Sequence, residues 1–112
     1  MGLRRKIKKF LYNLKYPKNK FIIDLNKKKV LITGSNSGIG LSLAKKILEQ
    51  DNQVFATYRE KFDKLDEIKN ENLFKIKCDQ SKTEDYINLE NKLKNVNIDI
   101  IINCAGIFGP SF

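Results

Sequence analysis

From residue 30 onward the chain alternates short, nearly uninterrupted apolar runs with stretches in which apolar residues return every three or four positions. The first pattern suits strands buried on both faces, and the second suits helices with one buried side. Residues 30–33 (VLIT) predict a strand, and residues 38–50 a helix with Ile39, Leu43, Ala44, Ile47 and Leu48 on its inward face. Residues 53–57 predict a second strand, Phe62, Leu65 and Ile68 one face of a short helix, and residues 73–78 a third strand. Ser81 with Glu84 three positions later has the capping-box pattern, in which each side chain satisfies an orphan backbone N–H. It predicts a helix start, followed by Tyr86, Ile87, Leu89, Leu93 and Val96 facing inward. Residues 98–103 predict a fourth strand, in which Asp99 interrupts Ile98, Ile100, Ile101 and Ile102.

Strands separated by helical crossovers of this length pair in parallel, so the fold class is α/β with helices against a parallel sheet. Right-handed crossovers in the doubly wound arrangement place the four strands in the order 3-2-1-4. Cys78 and Cys104 then end strands separated by two others, about 14 Å apart at about 4.8 Å per strand step. A disulfide between them is excluded, because Cα atoms beyond about 7 Å cannot be bridged.

The N-terminal residues follow a different pattern. Leu3, Ile7, Phe10, Leu11 and Leu14 recur at helical spacing, while Arg4, Arg5, Lys6, Lys8, Lys9 and Lys15 fall mostly off that stripe. Pro17 ends the segment, and residues 17–26 read as a linker, dividing the chain into an arm (1–26) and a body (27–112). The net charge of +9 belongs to this end. Residues 1–29 hold 11 Lys/Arg against Asp24 alone, whereas residues 30–112 hold 11 basic and 12 acidic residues. A neutral body without a basic stripe argues against nucleic acid as the partner. The arm reads either as a helix packed on its own protein or as a segment that adsorbs weakly to an anionic membrane surface through residues 3–15.

No run of about 18 apolar residues is present, so no membrane-spanning helix is expected. With no histidine and two cysteines, soft ligands are too few for a structural zinc site, and no metal site is predicted. The opening residues lack the continuous apolar stretch of a signal peptide, and Lys6 stands where a myristoylation signal needs Ser or Thr. A retained arm and a cytoplasmic location, peripheral to membrane if the arm adsorbs, are the expectations.

Candidate chemistry begins between the first strand and the first helix, at Thr33-Gly34-Ser35-Asn36-Ser37-Gly38-Ile39-Gly40. A glycine-rich turn that leads directly into a helix leaves free N–H groups at a positive helix end, an arrangement that favours a diphosphate. The stretch TGSNSGIG resembles the TGxxxGxG cofactor motif of the short-chain dehydrogenase/reductase family. Asp79 after the third strand resembles the family's adenine-contacting Asp, with Gln80 beside it. Asn103-Cys104-Ala105-Gly106 resembles the family's NNAG motif, with Cys104 in place of the usual Asn. The resemblance covers about residues 27–112, and VFATYRE and INCAGIFGP look most like C-factor and sniffer-type carbonyl reductases.

This resemblance implies the N-terminal half of a Rossmann-type domain and a nicotinamide dinucleotide cofactor. The implied contacts are Gly34, Ser35, Asn36, Ser37, Gly38, Ile39, Gly40, Arg59, Asp79, Gln80, Asn103, Ala105 and Gly106. NAD-preferring relatives carry a carboxylate at the end of the second strand, where this chain has Tyr58 followed by Arg59. An arginine there suits the 2′-phosphate of NADP, so NADP is expected, with NAD as the alternative.

The family's catalytic Ser and Tyr-x-x-x-Lys lie beyond the NNAG motif, and no catalytic residue is assigned in these 112 residues; Tyr16 with Lys20 matches the spacing by chance. A fourth strand of consecutive isoleucines reads as a central strand, which as an edge would leave unpaired backbone groups. The expectation is therefore a fragment: the cofactor-binding portion of an oxidoreductase acting on an unidentified carbonyl or alcohol, inactive alone. The alternative is a noncatalytic nucleotide-binding or interaction module, with a partner over the fourth strand or the arm on a membrane.

Overall fold

Apolar runs of four and five residues stay out of water only when both faces of their sheet are covered, and the chain places helices on either side, closing one face more fully than the other. The computed structural model describes residues 2–15 and 24–106. In chain order the elements are α1 (Leu3–Lys15), β1 (Lys29–Thr33), α2 (Gly38–Leu48), β2 (Gln53–Tyr58), α3 (Asp63–Asp66), β3 (Leu73–Lys77), α4 (Thr83–Leu93) and β4 (Ile100–Asn103). The four strands form one parallel sheet in the order β3-β2-β1-β4. This is the α/β topology expected from the pattern. Most of the linker reading, the Tyr16–Lys20 spacing and residues 107–112 fall outside the described residues.

Alternation along β1 divides the core. Val30 and Ile32 point to one face, where they meet Val54 and Ala56 of β2, Ala44, Ile47 and Leu48 of α2, and Leu65 of α3. Leu31 points to the other, where Phe55 and Ile76 pack with Leu89, Leu93, Val96 and Ile98. Phe55 stacks on its register partner Phe74 at 4.8 Å between ring centroids. The second face is less covered: Phe74 is exposed, and Ile101 of β4 retains 61% exposure while Ile100 and Ile102 pack against the first core.

Local chemistry shifts several boundaries. Asp99 stops the fourth strand from starting at residue 98. Its carboxylate accepts the Lys29 N–H at 2.8 Å and its own N–H donates to the Lys29 carbonyl, which clamps the start of β1 to the start of β4. Asn52, buried in the turn between α2 and β2, has both ends of its amide satisfied. It accepts from Lys28 N–H and donates to the carbonyls of Leu25 and Ile47. Leu25, assigned to the linker by its sequence, is thereby tied to the body and packs on the core.

The capping box does not form. Helix α4 starts at Thr83 with Lys82 at its N-cap and no side-chain cap, because Ser81 is held elsewhere: its hydroxyl and its N–H both donate to Asp79. The inward face of α4 is also narrower than its apolar pattern suggests, since Tyr86 and Ile87 are exposed while Leu89 and Leu93 pack inward. Ile39 likewise faces outward from α2 rather than into the core.

These faces make a direct prediction. Leu65→Ala empties a fully buried position and should lower unfolding free energy by about 2–5 kcal/mol. Ile87→Ala, on the exposed side of α4, should change it by no more than about 0.5 kcal/mol. Urea midpoints of the two variants measure the contrast, and equal losses would mean that α4 packs through the face holding Ile87.

Candidate functional site

All four strands end on the same side of the sheet, and the loops that follow them enclose one open cleft of about 1020 Å³. The carboxyl end of a parallel sheet is where doubly wound folds build their ligand crevices. The lining comes from the β1–α2 turn (Gly34, Asn36, Ser37, Gly38, Ile39, Gly40), from the end of β2 (Tyr58, Arg59, Glu60, Lys61), from the end of β3 (Cys78, Asp79, Gln80, Ser81) and from beyond β4 (Cys104, Ala105, Gly106).

Close backbone approach shapes the turn. Gly34 has φ +64°, and a Cβ there would lie 2.7 Å from the Ala105 Cα and 2.8 Å from the Ala105 N. Gly40, in the first turn of α2, packs so tightly on the Gly34 carbonyl that no side chain fits. Gly38 has φ +57° but open space around it, so conformation and access to the cleft select glycine at that position. Ser37, at the N-cap of α2, is extended and makes no side-chain cap bond, leaving the N–H groups of the first turn unmatched by a cap.

One hydroxyl joins the turn to the loop after β4. The Thr33 Oγ1 accepts from Cys104 N–H at 3.1 Å and from Ala105 N–H at 3.2 Å, and donates to Asn103 Oδ1 at 3.3 Å. Thr33 opens the glycine-rich motif but was not among the expected cofactor contacts; its part is to hold the loop after β4. Asn103 and Ser35 do not line the cleft. The Asn103 Oδ1 accepts from Thr33, while Ser35 is fully buried, with its hydroxyl on the Ile32 carbonyl at 2.7 Å and its N–H on the Thr57 carbonyl at 2.9 Å. Neither donor of Ser35 is free for a ligand.

Asn36 lines the cleft, but its side chain is committed to α3. Its Oδ1 accepts from Lys64 and Leu65 N–H, and its Nδ2 donates to Asp63. That amide is the chief reason that the Asp63 carboxyl lies below its ordinary value. Tyr58, Glu60, Lys61, Cys78, Ser81 and Cys104 also line the cleft without being among the contacts expected from the sequence.

Opposite the turn, Arg59 and Asp79 meet across the ends of β2 and β3, with Arg59 Nε 3.7 Å from the Asp79 carboxylate. Asp79 is nearly buried. Its carboxyl is held below the usual range first by the Ser81 hydroxyl, then by the Ser81 N–H, with smaller help from Arg59 and Lys82. The Asp79 N–H donates to Asp85 at 2.7 Å. Cys78 next to it is buried, and burial, reinforced by the Asp85 and Asp79 carboxylates, pushes its thiol pKa up. Among the described residues no group of three or more His, Cys, Asp or Glu is placed to hold a metal ion.

Because the folded-state pKa of Asp79 is depressed, its contribution to stability is complete above the unfolded carboxylate range, near pH 4, and is lost as pH falls through the folded value. Ser81→Ala should move the Asp79 pKa upward and shift that loss to higher pH, read by NMR titration of the carboxyl carbon. An unchanged titration in this variant would show that the Ser81 hydroxyl does not hold the carboxylate.

Comparison with known proteins adds an independent line. Residues 28–112 match the family model for short chain dehydrogenases. An uncharacterised oxidoreductase of Saccharomyces cerevisiae is 34% identical over 79 residues, covering 69% of this chain and 26% of that protein. The 3-amino-tetrahydro-pyrrolizinone reductase of Xenorhabdus hominickii is 34% identical over 89 residues, covering 78% and 31%. The chain thus spans under a third of the length of these relatives.

Among solved structures, a 4-hydroxyisoleucine dehydrogenase complexed with NADH superposes with a TM-score of 0.65 at 34% identity, over 72% of this chain and 35% of that one. The Sniffer protein of Caenorhabditis elegans superposes with a TM-score of 0.68 at 24% identity, over 75% and 39%, a likeness of fold.

Proposed function

The chain belongs to the short-chain dehydrogenase family, and from that premise we propose that its cleft binds a nicotinamide dinucleotide, NADP(H) in preference to NAD(H). The observation that carries the reading is the β1–α2 turn. Gly34, Gly38 and Gly40 keep side chains out of it, and the uncapped N-terminus of α2 opens into the cleft beside it. A diphosphate suits that place, where backbone N–H groups and the helix dipole both favour negative charge. Ser37, Gly38, Ile39 and Gly40 hold the diphosphate; Asn36 contributes through its backbone, and Ser35 and Asn103 act by fixing the turn and the loop after β4.

Asp79 and Gln80 take the adenine side, and Ala105 and Gly106 lie along the other side of the bound dinucleotide. Arg59 pairs with the 2′-phosphate of NADP, and Lys61 in the same lining adds positive charge. Tyr58 leaves no carboxylate at the end of β2, although Glu60 lies in the lining and moderates the preference.

A bound nicotinamide would supply hydride chemistry toward a carbonyl or an alcohol. Residues 1–112 supply binding and orientation but no Tyr-x-x-x-Lys after Asn103 to move the accompanying proton, so this chain by itself is proposed to be inactive. A second reading, a noncatalytic nucleotide-binding module with a partner over β4, is favoured by the exposed Ile101 on a strand that pairs only with β1 among the described residues. Carbonyl-dependent NADPH oxidation by the purified chain would remove both the inactivity and this alternative.

Calorimetric titration of the chain with NADP+ and NAD+ tests the cofactor reading. NADP+ should bind at least about tenfold more tightly, and Arg59→Ala should erase the difference, since a charge-assisted bond contributes about 1.5–3 kcal/mol. Equal affinities in the unaltered chain would refute the preference. Ser37→Asp keeps a good N-cap residue, so stability should hold, while its carboxylate should weaken both dinucleotides at least about tenfold. Unchanged affinity in that variant would locate the diphosphate elsewhere. Bound dinucleotide should also slow alkylation of Cys104, which lines the cleft.

A further inference from the structure

Helix α1 is unexplained by the family match, which begins at residue 28, and by the cleft, whose lining begins at Gly34. It carries Arg4, Arg5, Lys6, Lys8, Lys9 and Lys15 and no acidic residue over its 13 positions. At 3.6 residues per turn, Leu3, Ile7, Phe10, Leu11 and Leu14 fall within an arc of about 100°, and the six basic residues occupy the remaining circumference.

The apolar stripe finds no cover within the described protein. Leu3 is 73% exposed, Ile7 50%, Phe10 63% and Leu11 57%. A stripe of large apolar side chains flanked by uncompensated cations needs a surface that is apolar below and anionic above, which is the interfacial layer of an anionic lipid membrane.

Length decides the mode of attachment. Thirteen residues at about 1.5 Å each make a helix of about 20 Å, short of the roughly 30 Å hydrocarbon core. No helix among the described residues is long and apolar enough to cross a membrane. A helix of this length is also marginal alone in water, and a lipid interface would supply the apolar burial that normally sustains an amphipathic helix.

We propose that α1 is a membrane-surface anchor that lies in the plane of an anionic bilayer, its Leu3, Ile7, Phe10 and Leu11 stripe inserted among the acyl chains and its arginines and lysines against the headgroups. The proposal is independent of the cofactor reading, since it uses no residue of the cleft.

The chain contains no tryptophan, so Phe10→Trp places a single reporter on the stripe. With the full chain and vesicles of phosphatidylcholine and phosphatidylserine at 7:3 in about 0.1 M salt, tryptophan emission should shift to the blue, and the protein should float with the vesicles in a sucrose gradient. Pure phosphatidylcholine, or about 0.5 M salt with its shorter screening length, should reduce binding at least about tenfold. Ile7→Glu, which leaves every basic residue in place, should do the same.

Absence of the blue shift overturns the anchor. Flotation that ignores Ile7→Glu also overturns it, and would leave α1 a general polyanion-binding arm, with duplex DNA competing equally well. A blue shift that follows protein concentration without vesicles would instead assign the stripe to a second copy of the chain.

Discussion

The backbone of Gly34 and the backbone of Ala105 touch, with no room between them for a single carbon atom. That contact is what converts four separate strand ends into one cleft. It requires β1 and β4 to be neighbours, so that the turn leaving one strand meets the loop leaving the other. It also requires both loops to be held, which the Thr33 hydroxyl does by accepting two N–H groups from the β4 loop while sitting at the last position of β1. Gly40 completes the stack from the other side, seating α2 on the Gly34 carbonyl and directing the N-terminus of the helix into the opening.

Around this rigid centre the chain distributes polar groups so that buried ones are answered. Every buried side-chain nitrogen and oxygen among the described residues has a hydrogen-bond partner. Asn52, Ser35 and Thr33 show how: each uses a short side chain to satisfy backbone groups where an element begins or ends. At the cleft Arg59 faces outward beside Asp79, and Ser81 holds Asp79 in its ionised form. Burial, reinforced by the Asp85 and Asp79 carboxylates, pushes the Cys78 thiol pKa up beside them.

Two surfaces stand apart from that order. On the α4 side of the sheet Phe74, Tyr86, Ile87 and Ile101 remain exposed, whereas the α2 side is closed over Val30, Ile32, Val54 and Ala56. On α1, apolar and basic residues are sorted onto separate sides of one helix. Each leaves apolar area facing outward.

Much of this was legible in the residues alone. Continuous apolar runs and helical spacing gave the element types and the parallel sheet, because a strand buried on two faces cannot be written otherwise, and the glycine spacing marked the turn where backbone must approach backbone. Boundaries and partners were less legible. The pattern at Ser81 and Glu84 is that of a capping box, yet Asp79 lies two residues away and competes for the same hydroxyl, so the helix starts at Thr83. Tyr86, Ile87 and Ile39 fit their helical stripes but look outward, because a stripe is wider than the surface available to cover it. Asn36 and Ser35 carry the motif but spend their side chains on α3 and β1, and Asn103 gives its Oδ1 to Thr33. By itself the sequence determined which residues had to be buried and where the chain had to turn, since periodicity and the glycine positions are local. Only the tertiary structure decided which polar groups were left for a ligand, because that depends on neighbours brought together from positions 33, 59, 79 and 104, and no local pattern records them.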